Sequence, residues 1–128
     1  NWLLPGKVML GRYPSGTPYG SKTGSPKREE GLEHIRKVMG EGIHTFVCLQ
    51  EEVPPQEDDE AWPGDGVVPL PDPEMQKKYP EGFIRYYYDC LAVAKERQTP
   101  TPRFVHLPIP DFSTPDMARM VAVLEDLA

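Results

Sequence analysis

The chain has 128 residues, 14 basic and 20 acidic, and its net charge of −6 argues against a nucleic-acid partner, whose phosphates require a basic face. Its apolar fraction of 38% is low, and 16 Pro with 11 Gly make up a fifth of it, which predicts long irregular loops around a small core. No apolar run approaches the roughly 20 residues of a membrane helix, and no basic, apolar, then small-residue leader precedes the first strand. A soluble, intracellular protein is expected, and because the chain begins with Asn1, its translation start is expected upstream or removed.

Residues 2–13 read as two short strands joined by a Pro5-Gly6 turn. A Gly, Ser, Thr, Pro and Lys loop covers residues 14–25. Ser25 then suits a helix cap, Pro26 the first helical position, and Glu29 and Glu30 the positive end of the helix dipole. Leu32, Ile35 and Met39 share one face of that helix, and Gly40 and Gly42 end it. Residues 43–49 form a β-branched, apolar strand.

Residues 50–80 are acidic and Pro-rich, and long enough to count as an insertion. Residues 51–74 hold nine acidic side chains and no Lys or Arg, so the rest of the chain carries +3. Like-charge repulsion is expected to keep this segment extended and solvated. The other reading is a docking surface for a basic partner.

Beyond the insertion, Phe83, Tyr87, Cys90, Leu91 and Ala94 share a helical face, predicting a helix over residues 82–97. Residues 103–107 form the next strand. Thr114 suits the cap of a last helix, with Pro115 opening it and Asp116 complementing its dipole. Met117, Met120, Val121, Leu124 and Leu127 form its apolar stripe. The order predicts one α/β domain over residues 1–128, with parallel crossovers and helices flanking a parallel or mixed sheet. The last helix should pack back onto that sheet, and the parallel strand that ought to follow it is absent.

Three motifs are decoys. Residues 16–23 imitate a nucleotide-binding loop, but the second Gly is one place early and Gly24-Ser25-Pro26 interrupts where a helix N-terminus must bind phosphate. His34, His44 and His106 lack metal-ligand spacing; no metal and no cofactor is expected. Arg85-Tyr86-Tyr87-Tyr88 imitates a stacking surface, yet on a helix the rings diverge, which predicts core and rim packing. Cys48 and Cys90 are too few for a disulfide framework and read as buried free thiols.

Residues 104–116 carry the functional signal. A β-branched, aromatic run enters a loop in which Pro108 and Pro110 fix φ on either side of Ile109. That loop presents Asp111 just ahead of a helix. Taken with the opening hairpin and the pattern His34-Ile35 … Gly42-Ile43-His44-Thr45-Phe46-Val47-Cys48-Leu49, the chain resembles the cysteine-dependent protein tyrosine phosphatase superfamily, in its small dual-specificity-like branch. The resemblance runs over nearly the whole chain and is interrupted by the acidic insertion.

The resemblance implies hydrolysis of phosphate monoesters, on a protein or another carrier, by a Cys thiolate. An Arg and backbone N–H groups would hold the phosphoryl oxygens. Asp111 would be the general acid, which an alkoxide or phenoxide leaving group requires. The nucleophile motif is His-Cys, five residues, then Arg. Cys48 has Pro54 at the Arg position and Cys90 has Glu96, so neither is that nucleophile. The motif is expected beyond Ala128, together with the missing central strand, and the 128 residues alone are expected to be inactive. The alternative reading is a noncatalytic phosphatase-like subunit whose sheet a protein partner completes.

Overall fold

The computed structural model describes residues 2–14, 28–78, 82–111, 113–114 and 116–127. The nucleotide-loop decoy and the predicted Ser25-Pro26 helix start lie outside the described residues. Among those described, the fold is mixed α/β, with four helices and three two-stranded sheets, one of them parallel.

Strands β1 (Trp2–Leu4) and β2 (Val8–Met9) form an antiparallel hairpin with partners Trp2↔Met9 and Leu4↔Val8. Gly6 sits in its turn at φ 71°, and the Lys7 N–H donates to the Leu4 carbonyl at 2.9 Å. Helix α1 (Arg28–Gly40) comes next. Strand β3 (Thr45–Cys48) pairs in parallel with β6 (Arg103–His106), in the register Thr45↔Arg103 through Cys48↔His106. The pairing runs past both ends, since Arg103 N–H donates to His44 O at 2.8 Å and Leu107 N–H to Cys48 O at 2.8 Å. Ile109 N–H then reaches Leu49 O at 3.0 Å.

The connection between these strands holds β4 (Val67–Val68), α2 (Pro73–Lys78), β5 (Phe83–Ile84) and α3 (Tyr87–Arg97). β4 and β5 pair antiparallel. The helix predicted over residues 82–97 thus starts five residues later, because Phe83 and Ile84 are drawn into a strand. Gly82 makes this possible: it sits at φ 59°, and a Cβ there would lie 2.4 Å from the Val68 carbonyl oxygen. At its other end α3 closes with Gln98 in the left-handed region at φ 54°. Helix α4 (Met117–Leu127) lies beyond β6 in the chain.

Two apolar clusters form the core. One joins Ile35 of α1, Tyr86, Cys90 and Val93 at α3, and Phe104 of β6. Its rings interlock, with Phe46 stacked on Phe104 at 5.2 Å and Tyr87 edge-on to Phe104 at 4.7 Å. The other joins Cys48, Val53, Trp62, Leu70 and Phe83. Half-buried Tyr13 touches both clusters.

The second cluster corrects the expectation of an extended, solvated insertion. Val53, Gln56, Trp62 and Leu70 are all buried. The acidic side chains Glu57, Asp58, Asp59 and Glu60 face solvent, so the charge is solvated while the segment beneath it is folded. Burying Trp62 and Leu70 contributes roughly 2–3 kcal/mol each, enough to outweigh weak repulsion among screened surface carboxylates.

The expectation that α4 buries its stripe on the sheet is also corrected. Met117, Val121, Leu124 and Leu127 are 36–65% exposed, and α4 has no buried residue. The helix is held instead by polar tethers to β6, described below. No described helix is long and apolar enough to cross a membrane.

Candidate active site at the end of the parallel strands

In open α/β sheets, ligands collect beyond the carboxyl ends of parallel strands, where the chain turns into loops. Here that edge is formed by Cys48 of β3 and His106 of β6. The segments leaving the two strands are stitched together. His106 Nε2 lies 2.7 Å from the Gln50 carbonyl oxygen, and since a carbonyl only accepts, Nε2 carries the proton. Gln50 Nε2 in turn donates to Glu52 Oε2 at 2.8 Å.

Asp111 lies on the β6 side. It occupies a tight turn in which Pro110 O accepts from the Ser113 N–H at 3.1 Å and from Ser113 Oγ at 2.6 Å. The turn leaves Asp111 exposed. Proline at 108 and 110 restricts φ before the turn, and the Ile109–Leu49 hydrogen bond anchors the stretch between them.

Asp116 has the role predicted for Thr114. Its Oδ1 accepts from the Arg119 backbone N–H at 2.8 Å, a cap onto the third residue of α4, and its carbonyl accepts from Met120 N–H at 2.9 Å. A carboxylate caps a helix at least as well as a hydroxyl and adds favourable charge at the positive dipole end.

Both cysteines are buried and free. Burial, with the carboxylates of Glu57 and Glu52 nearby, pushes the Cys48 thiol up to about 11, and burial beside Asp89 pushes Cys90 up as well. Neither is a thiolate at neutral pH, which removes the nucleophilic form.

On the other side of β3 lies a groove of about 180 Å³. One wall is Met9, Leu10, Gly11 and Arg12, at and after the end of β2; the other is Thr45, Phe46 and Val47 of β3, floored by Ile35 and Val38 of α1. Successive residues of a strand face opposite ways, so lining by three consecutive residues identifies a strand edge. β6 occupies the opposite edge of β3, and no described strand pairs with this one. The hairpin and β3 thus stand on either side of an open slot. His34, on the rim, is exposed; partial burial and the charges of Arg12 and Lys37 hold its pKa below the usual value.

Arg85 is the residue whose environment the sequence conceals. It is 3% exposed, and its guanidinium lies 5.6, 5.0 and 4.5 Å from the ring centres of Trp62, Tyr87 and Tyr88. Nη2 donates to Gln56 O at 2.5 Å and Asp59 Oδ1 at 2.6 Å, and Nη1 to Tyr88 Oη at 3.2 Å. The Arg-Tyr-Tyr-Tyr run is therefore a fastener for the acidic segment, with Tyr86 in the core, Tyr87 half-buried and Tyr88 exposed. Among the described residues, no three His, Cys, Asp or Glu side chains come together in a metal-binding group. Comparisons with protein-family models, curated proteins and solved structures give no match.

Proposed function

We propose that the chain is the N-terminal part of a cysteine-dependent phosphatase of the dual-specificity-like type, with Asp111 as its general acid. The observation that carries this reading is the setting of Asp111. An exposed carboxylate stands on a proline-stiffened turn, at the carboxyl edge of an in-register parallel pair, directly before a capped helix.

The slot beside β3 gives independent support. A strand entering between Met9–Arg12 and Thr45–Val47 would run in the middle of the sheet, and a loop leaving its carboxyl end would open beside Cys48 and His106. In this reading the nucleophilic Cys and phosphate-binding Arg come after α4, beyond Ala128. The thiolate attacks phosphorus, the sulfur–phosphorus bond forming as the ester phosphorus–oxygen bond breaks, and Asp111 delivers its proton to the departing oxygen. Water then attacks phosphorus, gives a proton back to Asp111 and breaks the sulfur–phosphorus bond, releasing phosphate and the thiolate. The substrate is a phosphate monoester, on a protein or another carrier.

Residues 1–128 alone should not hydrolyse aryl phosphates, whereas the natural full-length protein should. Turnover by the 128-residue chain, abolished by Cys48→Ser or Cys90→Ser, would refute the assignment. The second reading, a noncatalytic subunit, draws on the exposed stripe of Met117, Val121, Leu124 and Leu127. In that case a strand from a partner protein fills the slot, and the full-length protein stays inactive and copurifies with that partner.

A further inference from the structure

We propose that Arg119 is a positioning residue for Asp111, acting through the main chain of His106; this rests on the reading of Asp111 as general acid. Arg119 Nη2 donates to the His106 carbonyl oxygen at 2.7 Å. That bond closes the span between residues 106 and 119, on which Asp111 lies, and both of its ends are otherwise fixed. His106 is 8% exposed, its ring hydrogen-bonded to Gln50 and its neighbour Leu107 to Cys48. Arg119 is held at the helix start by Asp116.

A second tether sets the direction of α4. Arg103, at the other end of β6, is ion-paired through Nη2 to Asp126 Oδ2. Three residues of strand separate His106 from Arg103 and seven of helix separate Arg119 from Asp126. Both correspond to about 10 Å, at ~3.3 Å per strand residue and ~1.5 Å per helical residue. The two tethers are therefore in register, and α4 runs antiparallel beside β6. Only the Arg119 tether borders the Asp111 turn, and the Asp126 tether lies a strand length away. These two polar bonds join α4, the helix that ends the loop, to β6.

A misplaced general acid slows departure of a poor leaving group and leaves a good one unaffected, because a low-pKa phenoxide departs without a proton. The test uses the natural full-length protein with phenyl phosphate and 2,4-dinitrophenyl phosphate. Asp111→Asn sets the scale, with a large loss on phenyl phosphate alone. Arg119→Ala should lower kcat/KM on phenyl phosphate by on the order of 10- to 100-fold and change kcat/KM on the dinitrophenyl ester less than about twofold, since kcat/KM reports the step in which the leaving group departs. Arg119→Lys, which still offers an N–H to the carbonyl, should recover most of the loss. Asp126→Asn should affect the two esters alike.

Equal loss on both esters in Arg119→Ala, or the same selectivity from Asp126→Asn, would overturn the proposal. If Arg119→Ala does not fold, Arg119→Met, which keeps the apolar stem but offers no N–H, takes its place, and failure of both to fold would overturn it by making Arg119 a determinant of the fold instead. If Asp111→Asn itself shows no dependence on the leaving group, the general-acid reading falls and this inference with it. A discriminating Asp111→Asn beside a non-discriminating Arg119→Ala refutes the inference alone.

Discussion

Arg85 and Asp59 stand 26 residues apart in the chain, and their charged groups meet at 2.6 Å, with the Arg85 side chain 2% and the Asp59 side chain 68% exposed. This asymmetric pair fastens the acidic segment to the core. The buried partner fixes the position, and the exposed one supplies the counter-charge.

Removing the two partners should therefore have unequal effects. Arg85→Ala strips hydrogen bonds from Gln56 O and Tyr88 and leaves a void among three rings. A loss of about 3–5 kcal/mol is expected. Asp59→Asn keeps an acceptor in place and leaves Arg85 its rings and the Gln56 carbonyl but takes away its counter-charge, so a loss of about 1–3 kcal/mol is expected. Urea denaturation of both variants measures the difference, and equal losses would contradict the fastening role of Arg85.

Gly82 and Gly42 both have positive φ, at 59° and 88°, but only Gly82 is crowded by backbone. Gly42→Ala meets nothing within 4 Å and should cost about 1–2 kcal/mol for the left-handed conformation alone. Gly82→Ala must also move Val68 away and should cost distinctly more, unpairing β4 from β5. Thermal melting of the two variants checks the order, and hydrogen exchange at Val67 and Val68 checks the cause.

The parts legible in the sequence were those with a clean period. β3 and β6 stand out as β-branched and aromatic runs, and α1 and α4 as helical stripes. β4, β5 and α2 were hidden because two-residue strands and a six-residue helix are too short for a period to show. They are set instead by tertiary contacts of Phe83, Leu70 and Trp62.

Asp111 was visible through its prolines. The Ser113–Pro110 turn that presents it and the Arg119 tether were not, since nothing in composition marks which carbonyl an arginine will reach. Core and rim packing of the Arg85-Tyr86-Tyr87-Tyr88 run was legible, whereas the enclosure of Arg85 itself by rings was not, because a buried, ring-enclosed cation reads in sequence like an exposed one. The α4 cap moved from Thr114 to Asp116 because both suit the position and local sequence alone does not choose between them.

Cys48 should resist alkylation at neutral pH. Its folded pKa of about 11 lies above the ordinary thiol value, so folding favours the protonated form. The associated stability is fully present below the unfolded pKa near about 8.5 and is lost as pH rises toward 11. Iodoacetamide labelling at neutral pH should be slow until denaturant is added. Unfolding free energy should fall as pH climbs from about 9 to about 11, less steeply in Cys48→Ala. Rapid labelling of the native protein would contradict the burial of this thiol.

The exposed α4 stripe and the open edge of β3 should make residues 1–128 sticky when produced alone. Dye binding by 8-anilinonaphthalene sulfonate and concentration-dependent association are expected, and both should diminish in the full-length protein. Retention of both in the full-length protein would mean that no later segment of the chain covers these surfaces.

A nucleophile motif beyond α4 is the central claim, and intact mass of the natural protein, with mapping of its C-terminal peptides, tests it most directly. A mass well above 14.5 kDa, with a His-Cys, five residues, then Arg peptide shortly after Ala128, is the expected result. A native chain that ends at Ala128, or continues without that motif, would contradict it.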